Sequence, residues 1–178
     1  MKRILVTGAN KGIGLATVEN LLQNHPDTFL ILGSRDEKRG DEAVRLLTTK
    51  EPKWADRLMM LAIDVSNDES VTMAAETVAS SFEADAKPLY GIINNAGIGS
   101  SSIGLEPTLQ VNTWGIHRVC EVFIPLLEAS GRVGNVTSAA GPNFVEAADD
   151  VTRTMLTDPD VQWDAVEEYM NRCISESK

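Results

Sequence analysis

Short apolar runs alternate with longer amphipathic stretches along most of this chain. The runs "RILVT" (3–7), "FLILGS" (29–34), "LMMLAI" (58–63), "LYGIIN" (89–94) and "RVGNVT" (132–137) have strand length, and their apolar character suits strands covered on both faces. The stretches between them carry apolar residues at helical spacing. A helix over about 12–24 would turn Ile13, Ala16, Thr17 and Leu21 inward, and a second over about 36–49 would turn Ala43, Leu46 and Leu47 inward. "SNDE" (66–69) reads as a capping box, Ser66 capping and Glu69 reaching back, ahead of a helix with Val71, Ala74, Ala75, Val78 and Phe82 on one face. A flexible loop over 97–104 leads into one long helix, about 107–129, with Leu109, Ile116, Val119, Cys120, Phe123 and Leu127 inward and its last turns loosened by Pro125.

This alternation, joined by short connections, predicts an α/β fold. Right-handed crossovers would build a doubly wound parallel sheet covered on both faces. After about residue 142 the pattern changes. Residues 143–178 contain no strand-like run, and "VQWDAVEEYMNRCI" (161–174) places Val166, Tyr169, Met170 and Cys173 on one helical face. A helical appendage therefore begins where a sixth strand–helix unit was due.

Composition narrows the partners. A formal net charge of -10 argues against nucleic acid and against an anionic membrane surface, both of which need a basic face. It leaves room for a small anion held by local cations and backbone N–H groups. Cys120 and Cys173 form no CxxC pair, which suits free thiols in a reducing compartment. No run approaches the roughly 18 apolar residues of a membrane span. The apolar part of the start, "ILV", is too short for a signal peptide, so the expected location is cytoplasmic.

The chemistry begins at "TGANKGIG" (7–14). Gly8, Gly12 and Gly14 fall in the turn after the first strand and in the first turn of the helix, with Asn10, Lys11 and Ile13 between and beside them. Glycine permits a tight turn and close approach of a pyrophosphate, and the helix N-terminus adds free N–H groups and a partial positive charge. Three residues separate Gly8 from Gly12 and one separates Gly12 from Gly14. With this TGxxxGxG spacing, "NNAG" (94–97), "LQVNTWG" (109–115) and "GRVGNVTSAAG" (131–141) in that order, the sequence resembles the compact branch of the short-chain dehydrogenase/reductase family over about residues 1–141.

Residue chemistry selects a cofactor. The first charged residue after the second strand is Arg35, which can meet a 2′-phosphate with two parallel hydrogen bonds, and Lys11 lies in the glycine turn. Both favour NADP(H) over NAD(H). The other reading of Arg35 is a pair with Asp36 or Glu37. By resemblance, Asp64 accepts from the adenine amino group with Val65 against the ring, or else Asp64 is a loop carboxylate that helps to cap the next helix. Asn94, Ala96 and Gly97 would face the cofactor at the carboxyl ends of the central strands, and the paired asparagines can tie those strands together.

The resemblance also implies the reaction, reduction of a small-molecule carbonyl compound. Ser138 would hold the substrate carbonyl, and Asn112 would hold a water on the proton path. A Tyr-x-x-x-Lys motif would supply the general acid about a dozen residues after the Ser, and no such motif stands in "VEAADDVTRTM". Of the two tyrosines, Tyr90 lies in the fourth strand, and Tyr169 has Cys173, not Lys, four residues on. The stretch 137–178 resembles the helical insertion that carbonyl reductases of this family carry between Ser and Tyr.

The expectation is an NADP-binding Rossmann-type domain over 1–142, with sheet order 3-2-1-4-5 and later strands absent. An insertion segment over 143–178 follows, ending before the acid. Three readings follow: the cofactor-binding part of an NADPH-dependent carbonyl reductase, a dinucleotide-binding module without catalysis, or a barely stable truncated product. The resemblance implies a monomer for a full-length member. Association of this chain stays open, because the long helix would expose apolar surface unless a partner or the insertion covers it.

Overall fold

The computed structural model of the chain describes residues 1–99 and 103–177. Five strands form one parallel sheet in the order β3-β2-β1-β4-β5: β1 Lys2–Val6, β2 Thr28–Ser34, β3 Leu58–Ala62, β4 Leu89–Asn94 and β5 Leu127–Asn135. This is the expected order. The helices that join them are α1 Gly12–Asn24, α2 Glu37–Lys50, α3 Asp68–Ser81, α4 Leu105–Asn112 and α5 Trp114–Phe123.

Successive strand residues point to opposite faces, and both faces are covered. Leu5, Ile31 and Ile92 pack with Val71, Val78, Val119 and Phe123 under α3 and α5. Ile4, Val6, Leu30 and Leu32 pack with Val18, Leu22, Ala43 and Leu47 under α1 and α2. The carboxyl ends of the strands emerge along one rim, where strand order reverses between β1 and β4.

Several local expectations are corrected. The buried stripe of α1 is Gly14, Val18 and Leu22, whereas Ile13 is 69% exposed. On α2, Leu46 is also exposed while Ala43 and Leu47 are buried. Ser66 is not a cap. Asn67 caps α3 by accepting from the Ser70 N–H at 2.8 Å, and Ser66 Oγ donates to Asp64 Oδ1 at 2.6 Å.

The single long helix is two helices broken at Thr113 (φ -123°, ψ -64°), and α5 stops at Phe123. The 3-10 turn Ile124–Leu126, with Pro125 inside it, then delivers Leu127 into β5 opposite Leu89. The register jumps from Leu89↔Leu127 to Gly91↔Arg132, so residues 128–131 bulge out of the edge strand. Of the loop expected over 97–104, residues 100–102 lie outside the described part.

Three further helices follow: α6 Ala140–Ala147, α7 Asp150–Thr157 and α8 Trp163–Glu176. The inward face of α8 is Met170 and Ile174, with Trp163 and Val166 partly covered against Leu109 and Trp114 of α4 and α5. The Trp114 indole N–H donates to Glu167 Oε1 at 2.8 Å, and His117 stacks on Trp163 with ring centroids 3.8 Å apart. Thus α8 covers the face of α4–α5 that the sheet leaves free. Among the described residues no helix is long and apolar enough to cross a membrane.

Candidate functional site

A cleft of about 400 Å³ opens at the carboxyl ends of β1, β2 and β4. Its floor begins with the turn after β1. Gly8 and Gly12 adopt φ of 62° and 58°, a left-handed backbone that glycine accepts without strain. A Cβ on Gly8 would lie 2.8 Å from the Ala96 Cα, so the turn also sits directly against the chain leaving β4. Asn10, Lys11, Gly12 and Ile13 line the cleft. The first turn of α1 lies there too, and among the described residues no side chain caps it, in contrast with α2 and α3. Its leading N–H groups are available to an anion.

Asn95 locks this turn in place, the tie between strand ends expected of the paired asparagines. The Asn95 amide donates to Thr7 O at 2.9 Å and to Gly8 O at 3.2 Å. Thr7 Oγ1 accepts from the N–H groups of Asn95 and Ala96, both at 3.0 Å. The signal was present in the doubled Asn of "NNAG", since two adjacent amides at a strand end point opposite ways. Asn94 is buried behind the cleft. It donates to Asn135 Oδ1 at 2.9 Å and to Cys120 Sγ at 3.6 Å, while its own Oδ1 has no partner among the described residues. Burial pushes the Cys120 thiol pKa up.

The side wall comes from β2 and β3. Ser34 Oγ donates to Asp36 O at 2.8 Å and shapes the turn that presents Arg35. Arg35 lines the cleft with its Nε 3.9 Å from Asp64 Oδ2, a loose pair in which the arginine is exposed and the carboxylate half-buried. Arg39, one helical turn on, lines the same wall and pairs with Asp36 at 3.3 Å. Sequence reading passed over Arg39, although "RDEKR" places it four residues after Arg35. Asp64 Oδ1 accepts from the Ser66 N–H and hydroxyl at 3.0 and 2.6 Å, which leaves Oδ2 toward Arg35. Val65 lines the cleft beside Ile63 and Val111.

Ala96, Gly97 and Ile98 form the near edge. Asn112, at the end of α4, spends its whole side-chain amide on Ile98. Gly14 and Asn94 support the cleft from behind. Ser138 is exposed beyond the end of β5, outside the residues that line the cleft, with its Oγ accepting from the Ala140 N–H at 3.2 Å. Tyr169 also lies away from it, beside Cys173 and under the Arg172 guanidinium 5.2 Å from its ring. Burial and the adjoining Cys173 raise its pKa.

An elongated anion fits these residues. The turn has backbone donors and Lys11, the wall has two guanidinium groups, and the apolar side chains Ile63, Val65 and Val111 offer a slot for a planar ring.

Residues 2–148 match the family described as short chain dehydrogenase. The mitochondrial D-beta-hydroxybutyrate dehydrogenase of Bos taurus is 34% identical over 149 residues, which are 79% of this chain and 42% of that protein. Carbonyl reductase (NADPH) 1 of Rattus norvegicus is 28% identical over 183 residues, 98% of this chain and 62% of that protein. The chain thus spans about half the length of the curated relatives it matches. Menthone neomenthol reductase from Mentha piperita has a similar fold, with TM-score 0.81 and 23% identity over 98% of this chain and 73% of that one.

Proposed function

The chain belongs to the short chain dehydrogenase family, and on that premise we propose that its cleft binds NADP(H) and that it supplies the cofactor-binding portion of an NADPH-dependent carbonyl reductase. The coarser statement, an oxidoreductase family that acts on CH–OH and C=O groups, holds for the relatives on both sides of that equilibrium. The observation that carries the finer reading is the basic wall. Arg35 and Arg39 line the cleft beyond β2 and outnumber the one carboxylate there, Asp36, which Arg39 already pairs, and Lys11 stands in the turn after β1. The name of the rat relative specifies NADPH.

In this reading the first turn of α1 holds the pyrophosphate, Arg35, Arg39 and Lys11 hold the 2′-phosphate, and Asp64 and Val65 take the adenine. Bound NADPH supplies the hydride. Ser138 orients the carbonyl of a small-molecule substrate, and Asn112 fixes the loop that borders the nicotinamide end. A monomer suits the reading, because α8 occupies the free face of α4–α5. A cytoplasmic home suits two thiols that stay unpaired.

A dinucleotide-binding module with little turnover is the second reading, favoured by one observation. These 178 residues place no Tyr-x-x-x-Lys after Ser138, and Tyr169 of α8 lies outside the cleft beside Arg172 and Cys173. A positioned proton donor contributes about 10²- to 10⁴-fold, so these residues alone should reduce ketones slowly.

Thermal melts with and without cofactor test the binding. At about 100 times Kd, a specific ligand adds about 2.7 kcal/mol. That corresponds to a Tm rise of roughly 5–10 °C in a chain of this size. No shift with NADPH would sink the proposal, and an equal shift with NADH at equal concentration would overturn the phosphate assignment. A ketone-reduction assay separates the two readings, since brisk turnover by these residues would refute the second.

A further inference from the structure

We propose that Arg118 is a positioning residue that holds the two walls of the adenine end of the cleft at a fixed separation. The proposal rests on the cofactor reading of the cleft. Arg118 belongs to α5 and does not line the cleft, yet its guanidinium reaches α4, which contributes Val111 to the lining, and the first residue of α3, which follows the lining residues Asp64 and Val65. Nη1 donates to the Gln110 carbonyl at 3.2 Å and Nη2 to Gln110 Oε1 at 2.8 Å. Nε donates to Asp68 Oδ1 at 2.5 Å. The Arg118 side chain is 18% exposed, although Asp68 is 83% exposed.

Each end of this bridge adjoins a cleft residue. The helix break at Thr113 leaves the last carbonyls of α4 without onward helical partners. Leu109 O receives the Thr113 N–H at 3.0 Å, and Gln110 O receives Arg118. The next residue is Val111, on the cleft wall with Val65. At the other end, Asp68 opens α3 directly after the Asp64–Asn67 turn that presents Asp64 and Val65. Behind the cleft α5 itself lies against the Val65 wall, where a Cβ on Gly115 would lie 2.9 Å from Val65 Cγ2. Arg118, one turn beyond Gly115, fastens that contact with a planar fork that a lysine cannot reproduce.

The test is equilibrium binding well below Tm of NADPH, 2′,5′-ADP and reduced nicotinamide mononucleotide to the wild-type chain, Arg118→Met, Arg118→Lys and Gln110→Met. Arg118→Met should weaken NADPH and 2′,5′-ADP alike by about 3- to 30-fold and change nicotinamide mononucleotide by less than about twofold. Arg118→Lys should fail to restore 2′,5′-ADP affinity, and Gln110→Met should move it in the same direction. Gln110→Met removes only one acceptor, so it keeps the test available if Arg118→Met does not fold. A merely structural Arg118 would lower Tm and leave the three affinities at wild-type values, and that result overturns the proposal. Equal loss of both fragments overturns it as well. A wild-type chain that binds neither NADPH nor 2′,5′-ADP removes the cofactor reading itself, and this proposal with it.

Discussion

Asn112 holds Ile98 by both ends of its amide: Oδ1 accepts from the Ile98 N–H at 2.9 Å and Nδ2 donates to the Ile98 carbonyl at 2.9 Å. One side chain thereby imitates a strand partner for a segment that has left the sheet. Asn112→Ala removes two hydrogen bonds worth about 0.5–1.5 kcal/mol each. Exchange of the Ile98 amide should accelerate and NADPH should bind more weakly. Asn112→Asp should do no better, because a carboxylate would face the Ile98 carbonyl. Unchanged exchange at Ile98 in the alanine variant would contradict this role.

Arg35 meets Asp64 only loosely at 3.9 Å, so its guanidinium is free to turn to a phosphate. Charge-assisted hydrogen bonds are worth about 1.5–3 kcal/mol, so Arg35→Ala should weaken NADPH about 10- to 100-fold. NADH, which lacks the 2′-phosphate, should lose little. Calorimetric titration of both cofactors gives the ratio, and equal losses would remove Arg35 from the phosphate site.

Gly14 faces the underside of its own turn. A Cβ there would lie 2.7 Å from Gly8 O and collide with the Asn95 amide. Overpacking at such a point costs about 1–3 kcal/mol. At roughly 2–4 °C per kcal/mol, Gly14→Ala should lower Tm by about 2–12 °C. Its NADPH affinity should fall as well, since Asn95 must move to make room. A variant with wild-type Tm would show that the turn yields without cost.

Burial raises the pKa of Cys120, the Asn94 amide opposes the rise in part, and the neighbouring Glu121 carboxylate adds a smaller increment. A raised thiol pKa favours the neutral form in the folded chain. Its contribution to stability is full below the unfolded thiol pKa, near 8.5, and declines as pH climbs through the raised value. Iodoacetamide at about pH 8 should therefore modify Cys120 far more slowly in the native chain than in urea. Equal rates, read by peptide mass spectrometry, would mean that α5 opens readily from the sheet.

The sheet was legible because strands covered on both faces must be apolar along their whole length, and runs such as "FLILGS" serve no other purpose. Helix faces were less legible. Ile13 counted as a core residue because periodicity registers apolarity and does not say what covers it, whereas here it borders an open cleft. The long helix misled for a different reason. Leu127 falls on the helical face of Val119 and Phe123, but Pro125 ends the helix and Leu127 pairs with Leu89 instead. Within the site, residues that act through backbone or charge at the turn were readable. Arg118 was not, because its partners Asp68 and Gln110 lie on α3 and α4 and only folding brings them together.

The exposed Ile13 at the mouth of the cleft has a thermodynamic consequence. In the free chain its side chain is kept in water at the first turn of α1, beside the backbone groups that would take a pyrophosphate. A dinucleotide laid across that turn removes this apolar area from water, and full burial of an isoleucine is worth about 1.5–3 kcal/mol. Removal of apolar surface lowers heat capacity, so the enthalpy of NADPH binding should grow more negative with temperature. Ile13→Ser should flatten that slope while the ionic contacts stay intact. Ile13 would then set how affinity changes with temperature, and the neighbouring cations how it changes with salt.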